Sequence, residues 1–186
     1  MTDATVRVAG PDDAADLAAI QVRTWRVAYA ETLGQDTVDA LEEAALTDEW
    51  TRAVDHPAST VYVAREGATT VGFCAAGPAP ADDTAAADGS PPADAAEVAL
   101  IATVLVEPRW GRRGHGGRLF GTAATDLRAM GLTRGVTWVS QSDSAALSFF
   151  RGIGWNPDGT VRTLDTGQRT VRELRLTGGL DVQFDH

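Results

Sequence analysis

Residues 104 to 119 carry the stretch that decides the fold, VLVEPRWGRRGHGGRL. Its first three residues are apolar and suited to a strand, which Pro108 ends because proline has no backbone N–H to give to a sheet. A turn rich in arginine and glycine follows, and helical spacing of apolar residues then continues until Gly131, a natural C-terminal cap. The stretch therefore predicts a strand, a glycine-rich loop and a helix in direct succession.

The glycine-rich loop has the chemistry of an anion site. Gly114, Gly116 and Gly117 leave backbone N–H groups unobstructed where the helix begins, and a helix N-terminus carries about half a positive charge. Arg112 and Arg113 add charge for a phosphate or pyrophosphate group. The alternative is an ordinary tight turn with solvated arginines. A nucleoside-triphosphate loop is excluded, because it needs a lysine and this chain has none.

The rest of the chain alternates strands and helices. We predict a first strand at 5–9, a helix from Pro11 and a second helix at 38–56, whose buried stripe would include Leu41, Ala45, Trp50 and Val54. Strands follow at 60–64, 70–75 and 97–107, then at 136–140, with a short helix at 144–152 and a closing hairpin at 160–176. The pattern indicates one α/β domain over residues 1–186, with a mixed, mostly antiparallel sheet flanked by helices.

Residues 77–96 interrupt this pattern. The segment holds four of the eight prolines, four acids and no aromatic or basic residue. Such a composition offers little apolar area to offset the entropy of ordering, so we predict a long flexible loop without an apolar anchor.

Two motifs resemble the GNAT superfamily of N-acetyltransferases. In that family a loop like 111–117 follows a strand ending in Val-x-Pro, as Val106 and Pro108 do here. Residues 143–155, DSAALSFFRGIGW, resemble the second family motif, Asn-x-x-Ala-x-x-Phe-Tyr-x-x-x-Gly-Phe. Trp25 and Tyr29 are similar in placement to the first helix of many bacterial members. Together these similarities cover most of residues 5 to 177.

The resemblance implies a co-substrate, acetyl-CoA, and residues that hold it. The loop residues Arg112, Arg113, Gly114, His115, Gly116 and Gly117 would bind its pyrophosphate. Backbone groups near Val104 and Val106, at a bulge where strands splay apart, would hold the pantetheine and polarise the thioester carbonyl. Asp143 and Phe150 would also border the cofactor, and Trp25 and Tyr29 would border the acceptor, although core packing explains Trp25 equally well.

The chain departs from the family pattern in its second motif. Asp143 replaces the usual Asn, which keeps helix-capping ability but loses an amide donor. Phe150 stands where many relatives carry a Tyr proposed to protonate the departing thiolate, and a phenyl ring has no proton to give. Either another group is the acid, or the thiolate leaves without one.

Acetyl transfer also calls for removal of a proton from the amine. Glu97 and Glu107 flank the central strand, and either is a candidate general base, directly or through water. The alternative for each is a solvated acid at a strand end. Cys74 lies in a predicted strand beside apolar residues, which favours a small core residue over a catalytic nucleophile. No cluster of Cys and His residues indicates a metal site.

Composition narrows the partners. The net charge is −10, from 26 acids and 16 arginines, which disfavours nucleic acid and anionic membranes as partners. One cysteine and an acidic N-terminus favour the cytoplasm. We therefore expect a cytoplasmic monomer or homodimer that acetylates a small-molecule amine, with a protein or peptide acceptor and a non-catalytic CoA-binding module as alternatives.

Overall fold

Seven strands form one sheet in the computed structural model of the chain, which describes residues 3–182. Along the sheet the order is β1-β2-β3-β4-β5-β7-β6, and every neighbouring pair is antiparallel except β4 and β5. This confirms the mixed, mostly antiparallel sheet. The strands are β1 (Ala4–Val8), β2 (Thr60–Glu66), β3 (Thr69–Pro78), β4 (Val98–Val106), β5 (Arg134–Ser140), β6 (Asn156–Asp165) and β7 (Thr170–Gly179).

Helices cover both faces of the sheet. They are α1 (Ala14–Ala28), α2 (Ala30–Leu33), α3 (Gln35–Asp39), α4 (Glu43–Val54), α5 (Ala81–Thr84), α6 (His115–Ala129) and α7 (Ser144–Gly152). The predicted helix at 38–56 is wrong as one element, because Glu42 adopts an extended backbone that separates α3 from α4. The stripe of α4 also differs, since Leu46 is buried and Ala45 is exposed. Within residues 3–182, no helix has the length and apolarity needed to cross a bilayer.

The two faces of the sheet carry separate cores. Alternate residues of each strand point to opposite faces, so Val61 and Val63 of β2 pack on the side of α1 and α4, whereas Tyr62 and Ala64 pack on the side of α6 and α7. Cys74 is fully buried in the second core, where burial raises the pKa of its thiol to about 12. That placement agrees with a core residue.

Residues 77–96 are not a loop throughout, and polar contacts hold them to the rest of the protein. The segment begins inside β3, which runs to Pro78, and it contains α5 with a buried Thr84. The indole N–H of Trp138 donates to Asp83 at 2.9 Å, and the guanidinium of Arg134 donates twice to Asp94 at 2.7 Å. Two of the acids on which the prediction of a loop rested, Asp83 and Asp94, therefore tie the segment to β5. Its flexibility stays a prediction.

Candidate active site

The two central strands separate after a short parallel contact. β4 pairs with β5 only where Val98–Leu100 lies beside Arg134–Val136. The register of β4 with β3 also shifts, which leaves Ala102 as an extra residue in β4. Because a bulge bends its strand, β4 and β5 diverge beyond this point and leave a gap in the middle of the sheet.

The gap exposes the backbone of β4 on the side of β5. The N–H of Glu107 donates to the carbonyl oxygen of Val71 at 2.9 Å, so Glu107 and Val71 of β3 form a hydrogen-bonded pair. Hydrogen-bonded pairs alternate with non-bonded ones in an antiparallel ladder, which directs the N–H and C=O of Val104 and Val106 toward β5. Since β5 is not paired there, both residues present polar backbone groups to the gap.

A cavity of about 240 Å³ lies at this gap. Its walls come from β4 and β5, the start of α7, the end of α1, α2 and the hairpin of β6 and β7. Its lining includes Trp25, Tyr29, Leu33, Val104, Trp138, Asp143, Phe150, Leu164, Val171 and Glu173. The predicted residues of the second motif and of α1 thus share one cavity with β4.

The start of α6 has the geometry of the predicted anion site. Gly114 adopts the left-handed conformation, with φ of 79°, and the first bond of the helix runs from the N–H of Arg118 to the oxygen of Gly114 at 3.0 Å. The N–H groups of His115, Gly116 and Gly117 precede that bond, and the first turn of a helix leaves such donors without intrahelical acceptors. They are available to an anion.

The three arginines around the start of α6 differ in the contacts that they make. Arg112 is exposed and makes no hydrogen bond or ion pair with any of residues 3–182. Arg113 donates to Glu66 at 3.2 Å and lies 4.8 Å from the ring centroid of Trp110. Arg118 donates to the carbonyl oxygen of Arg113 at 3.0 Å. Arg112 is therefore the side chain best placed to swing toward a bound anion.

The ring of His115 lies beneath the loop. Its side chain is 1% exposed, and its Nε2 is 2.8 Å from a carboxylate oxygen of Glu66. The ring therefore braces the loop against the end of β2, which agrees with a ring that fills space inside the loop. A contact of the ring with phosphate stays a prediction. The backbone N–H of His115 stays with the predicted anion site.

Neither predicted general base lines the cavity. Glu107 is 5% exposed and forms ion pairs with Arg23 at 3.1 Å and with Arg109 at 2.6 Å. Glu97 is exposed before the start of β4, where it accepts a hydrogen bond from Thr133 at 3.2 Å. For Glu107 the alternative of a solvated acid is wrong, because its carboxylate is buried and paired with two arginines. A role of Glu97 or Glu107 as general base stays a prediction.

Tyr29 and Asp143 meet across the mouth of the gap. The phenol of Tyr29 donates to one carboxylate oxygen of Asp143 at 2.7 Å, and the other oxygen caps α7 by accepting from the N–H of Ala146 at 2.9 Å. Burial, followed by the hydrogen bond to Asp143, raises the pKa of Tyr29 well above its ordinary value. The phenol therefore stays protonated and remains a donor at neutral pH.

Phe150 forms part of an aromatic cluster at the cavity wall. It is 5% exposed, and its ring centroid lies 5.1 Å from that of Phe149 and 5.6 Å from that of Trp155. Phe120 completes the cluster at 6.3 Å. Phe150 is thus a packing residue of α7 that also borders the cavity.

The comparisons with known proteins agree with this architecture. The model of the acetyltransferase (GNAT) family matches residues 18–155. The chain belongs to the GNAT acetyltransferase family. It is therefore an acetyltransferase, and acetyl-CoA is the co-substrate of that family. No curated protein sequence matches the chain significantly.

Several solved structures share the fold of this acetyltransferase. PaiA N-acetyltransferase from Thermoplasma acidophilum, in complex with coenzyme A, is 14% identical with a TM-score of 0.71, covering 95% of this chain and 99% of its own. A ribosomal-protein-alanine N-acetyltransferase from Brucella melitensis is 16% identical with a TM-score of 0.71, over 94% and 99%. YncA from Salmonella typhimurium, with acetyl-CoA, is 17% identical with a TM-score of 0.65, over 96% and 94%.

The site of this acetyltransferase also contains residues that sequence reasoning missed. Glu66 supports the loop from β2, and Trp138 and Glu173 line the cavity from β5 and β7. Glu66 precedes Gly67 between the predicted strands at 60–64 and 70–75, where an acid is common, so nothing in the sequence marked it as a site residue. Trp138 lies in β5 and Glu173 in β7, and these strands come together only in the folded sheet. There Trp138 pairs with Arg175, and Glu173 pairs with Ser140.

Proposed function

We propose that this chain transfers an acetyl group from acetyl-CoA to the primary amine of a small molecule, by direct attack of the amine. The observation that carries the proposal is the continuity of the anion site at α6 with the open edge of β4 and the cavity beyond it. The anion site and the open edge both adjoin one strand, since β4 ends at Val106 and α6 begins at His115.

The start of α6 suits the pyrophosphate. The N–H groups of His115, Gly116 and Gly117 would donate to its oxygens, Arg112 would pair with its charge, and the positive end of the helix would add to both. Glu66 has a positioning role here, because it holds the ring of His115 and the guanidinium of Arg113.

The exposed edge of β4 suits the pantetheine arm and the thioester. The N–H and C=O groups of Val104 and Val106 would form hydrogen bonds with the amide groups of the extended pantetheine arm. These bonds would take the place of the pairing that β5 does not provide. A backbone N–H facing the thioester carbonyl would stabilise the negative charge that develops on its oxygen. Phe150 would pack beside the acetyl group and exclude water.

The transfer itself requires no side-chain nucleophile. The amine nitrogen attacks the carbonyl carbon, the C–N bond forms, the C–S bond breaks, and the electron pair of that bond leaves on the sulfur of CoA. The nitrogen gives up its proton to water as the bond forms, because neither Glu97 nor Glu107 lines the cavity. A thiolate is a good leaving group, which is why the absence of a phenol at Phe150 is compatible with turnover.

Isotope transfer tests the proposal directly. Acetyl-CoA labelled in its acetyl group is incubated with the protein and a panel of primary amines, and labelled amide is measured against free CoA release. We expect amide formation with at least one small amine. Binding of acetyl-CoA by calorimetry without transfer to any amine or peptide would instead indicate a non-catalytic CoA-binding module.

A further inference from the structure

We propose that the acceptor is a small amine that carries an ammonium group, an apolar body and no anionic group, and that its ammonium binds Asp143. The inference rests on the proposed function and names its substrate class. Three observations carry it: the charge of the cavity lining, the way Asp143 is held, and the size and apolarity of the remaining walls.

The cavity lining has an excess of negative charge. Asp143 and Glu173 line it, and no arginine or histidine within residues 3–182 does. The charge of Glu173 is balanced by Arg162, whose guanidinium contacts its carboxylate and lies 4.3 Å from the ring centroid of Trp138. Asp143 accepts only from neutral donors, Tyr29 and the backbone of Ala146, among the described residues. One carboxylate of the cavity is therefore without a cation.

Asp143 is held in place before any ligand arrives. Its two oxygens are oriented by one donor each, and a carboxylate oxygen has a second lone pair for a further donor. Because the pKa of Tyr29 is raised, its phenol does not compete as an anion for a cationic ligand. An ammonium group satisfies this site by donating to Asp143, and it becomes the attacking amine once it has released one proton to water. A carboxylate brought into the same cavity would be repelled.

The other walls of the cavity, as residues 3–182 form them, carry no charge, are apolar over much of their surface and leave little room. Their neutral polar members are Thr32, Thr103, Thr137, Ser140 and Thr166. Trp25, Leu33, Leu164 and Val171 face it from α1, α2 and the closing hairpin. At about 240 Å³ the cavity is smaller than the roughly 300–1,000 Å³ of typical ligand sites. A body no larger than a single ring or a short alkyl chain fits beside the acetyl group.

The hairpin of β6 and β7 closes the wall opposite β4. The hydroxyl of Thr166 donates to the carbonyl oxygen of Leu33 at 3.1 Å, and Arg169 donates to the carbonyl oxygen of Glu31. Gln168 adds a contact with the backbone of Thr37 at 3.3 Å. These bonds tie the hairpin to α2 and α3 along one wall of the cavity, which favours a small molecule over a peptide N-terminus.

Probes that differ in one group test the substrate class. 2-Phenylethylamine and phenylalanine share ring, chain length and amine, and differ in the α-carboxylate. A pentapeptide with an N-terminal alanine represents peptide acceptors. With the full chain and saturating acetyl-CoA, we expect kcat/KM for 2-phenylethylamine to exceed that for phenylalanine and for the peptide by at least tenfold.

Two variants assign the discrimination to Asp143. Asp143→Asn keeps a side chain that caps helices and accepts from Tyr29, but it removes the charge. We expect its KM for 2-phenylethylamine to rise at least tenfold and its preference over phenylalanine to disappear, with the Kd for acetyl-CoA changed less than twofold. Asp126→Asn is the matched control, because Asp126 accepts from Tyr62 at 2.9 Å in the same way but lies outside the cavity lining. It should keep the preference.

The outcomes separate the inference from the proposed function. Equal or better transfer to phenylalanine, a preference for the peptide, or an unchanged preference in Asp143→Asn would overturn the inference while the acetyltransferase stands. Acetyl-CoA binding with no transfer to any of the three probes or the wider amine panel would overturn both. Should Asp143→Asn fail to fold, the comparison of probes on the natural protein decides the substrate class.

Discussion

At the scale of single residues, Phe150 decides whether a side-chain acid is part of the reaction. Its ring packs among Phe120, Phe149 and Trp155 and has no proton to donate. If the thiolate leaves unaided, Phe150→Tyr should change kcat by less than about tenfold, which corresponds to about 1.4 kcal/mol of barrier. Steady-state kinetics with an accepted amine measure it. A Tyr variant that acetylates amines beside an inactive natural protein would show that the phenol is necessary.

Glu66 is the residue whose loss should disturb the loop most. Glu66→Ala leaves the buried ring of His115 and the guanidinium of Arg113 without their shared carboxylate, and an unsatisfied buried polar group costs about 1–3 kcal/mol. We expect a lower melting temperature and weaker acetyl-CoA binding by calorimetry. Glu49→Ala removes an exposed acid of α4 and serves as the control. Unchanged affinity in a folded Glu66→Ala protein would mean that the brace does not support the cofactor site.

At the scale of elements, a substitution at the N-terminus of α6 tests the anion site directly. A Cβ at Gly116 would lie 3.4 Å from the ring of Phe149, an ordinary contact, so Gly116→Asp should fold. Its carboxylate would occupy the anion site with like charge, and we expect acetyl-CoA affinity to fall at least tenfold in calorimetry. Gly10→Asp is the matched control, since a Cβ there meets nothing within 4 Å. Equal affinity in both variants would place the phosphate site elsewhere.

The segment at 77–96 divides into an anchored part and an exposed tip. Residues 86–91 are exposed, whereas Asp83, Thr84 and Asp94 contact the body of the protein. Because loop-closure entropy changes slowly with length, deleting 86–91 should leave the melting temperature within about 2 °C. Asp94→Ala, which removes the bidentate contact with Arg134, should lower it further than that deletion does. The reverse order would show that the tip packs.

The elements show which parts of the structure a sequence can predict. The strand, loop and helix at 98–129 and the helix at 144–152 were predicted because Pro108, Gly114 and Asp143 mark boundaries by local chemistry. The break between α3 and α4 carries no glycine or proline, so nothing local signalled it. The pair of Tyr29 and Asp143 joins residues 114 positions apart, and only the folded sheet brings them together. Asp143 was predicted beside the cofactor, and the further inference assigns it to the acceptor.

At the scale of the whole molecule, the site lies where the two parts of the sheet join. Strands β1 to β4 form one antiparallel part and β5 to β7 the other, and three residues of β4 connect them. Beyond that contact the parts are bridged by side chains, Tyr29 to Asp143 and Thr32 to Ser142 at 3.1 Å. A sheet that stayed paired along β4 would have no cavity, so the imperfect pairing is what provides the site.

The acid stability of the whole protein should depend on two carboxylates outside the sheet that bind arginines of β1 and β5. Asp13 accepts two bonds from Arg7 at 2.8 Å, and Asp94 accepts two from Arg134 at 2.7 Å. In each case the hydrogen bonds from the arginine lower the pKa of the aspartate below its ordinary value. The folded state therefore binds these protons less readily than the unfolded state does.

That difference fixes the direction of the pH dependence. Above the unfolded-state pKa of about 3.9 both states are ionised and the stabilisation is complete; as pH falls through the lowered folded-state values, it is lost. We expect the free energy of unfolding, from urea titrations, to hold between pH 7 and 5 and to fall below about pH 4. The double variant Asp13→Asn and Asp94→Asn should start lower and lose less over that acid range, because Asn does not titrate. An acid slope identical to that of the natural protein would assign the loss to other carboxylates.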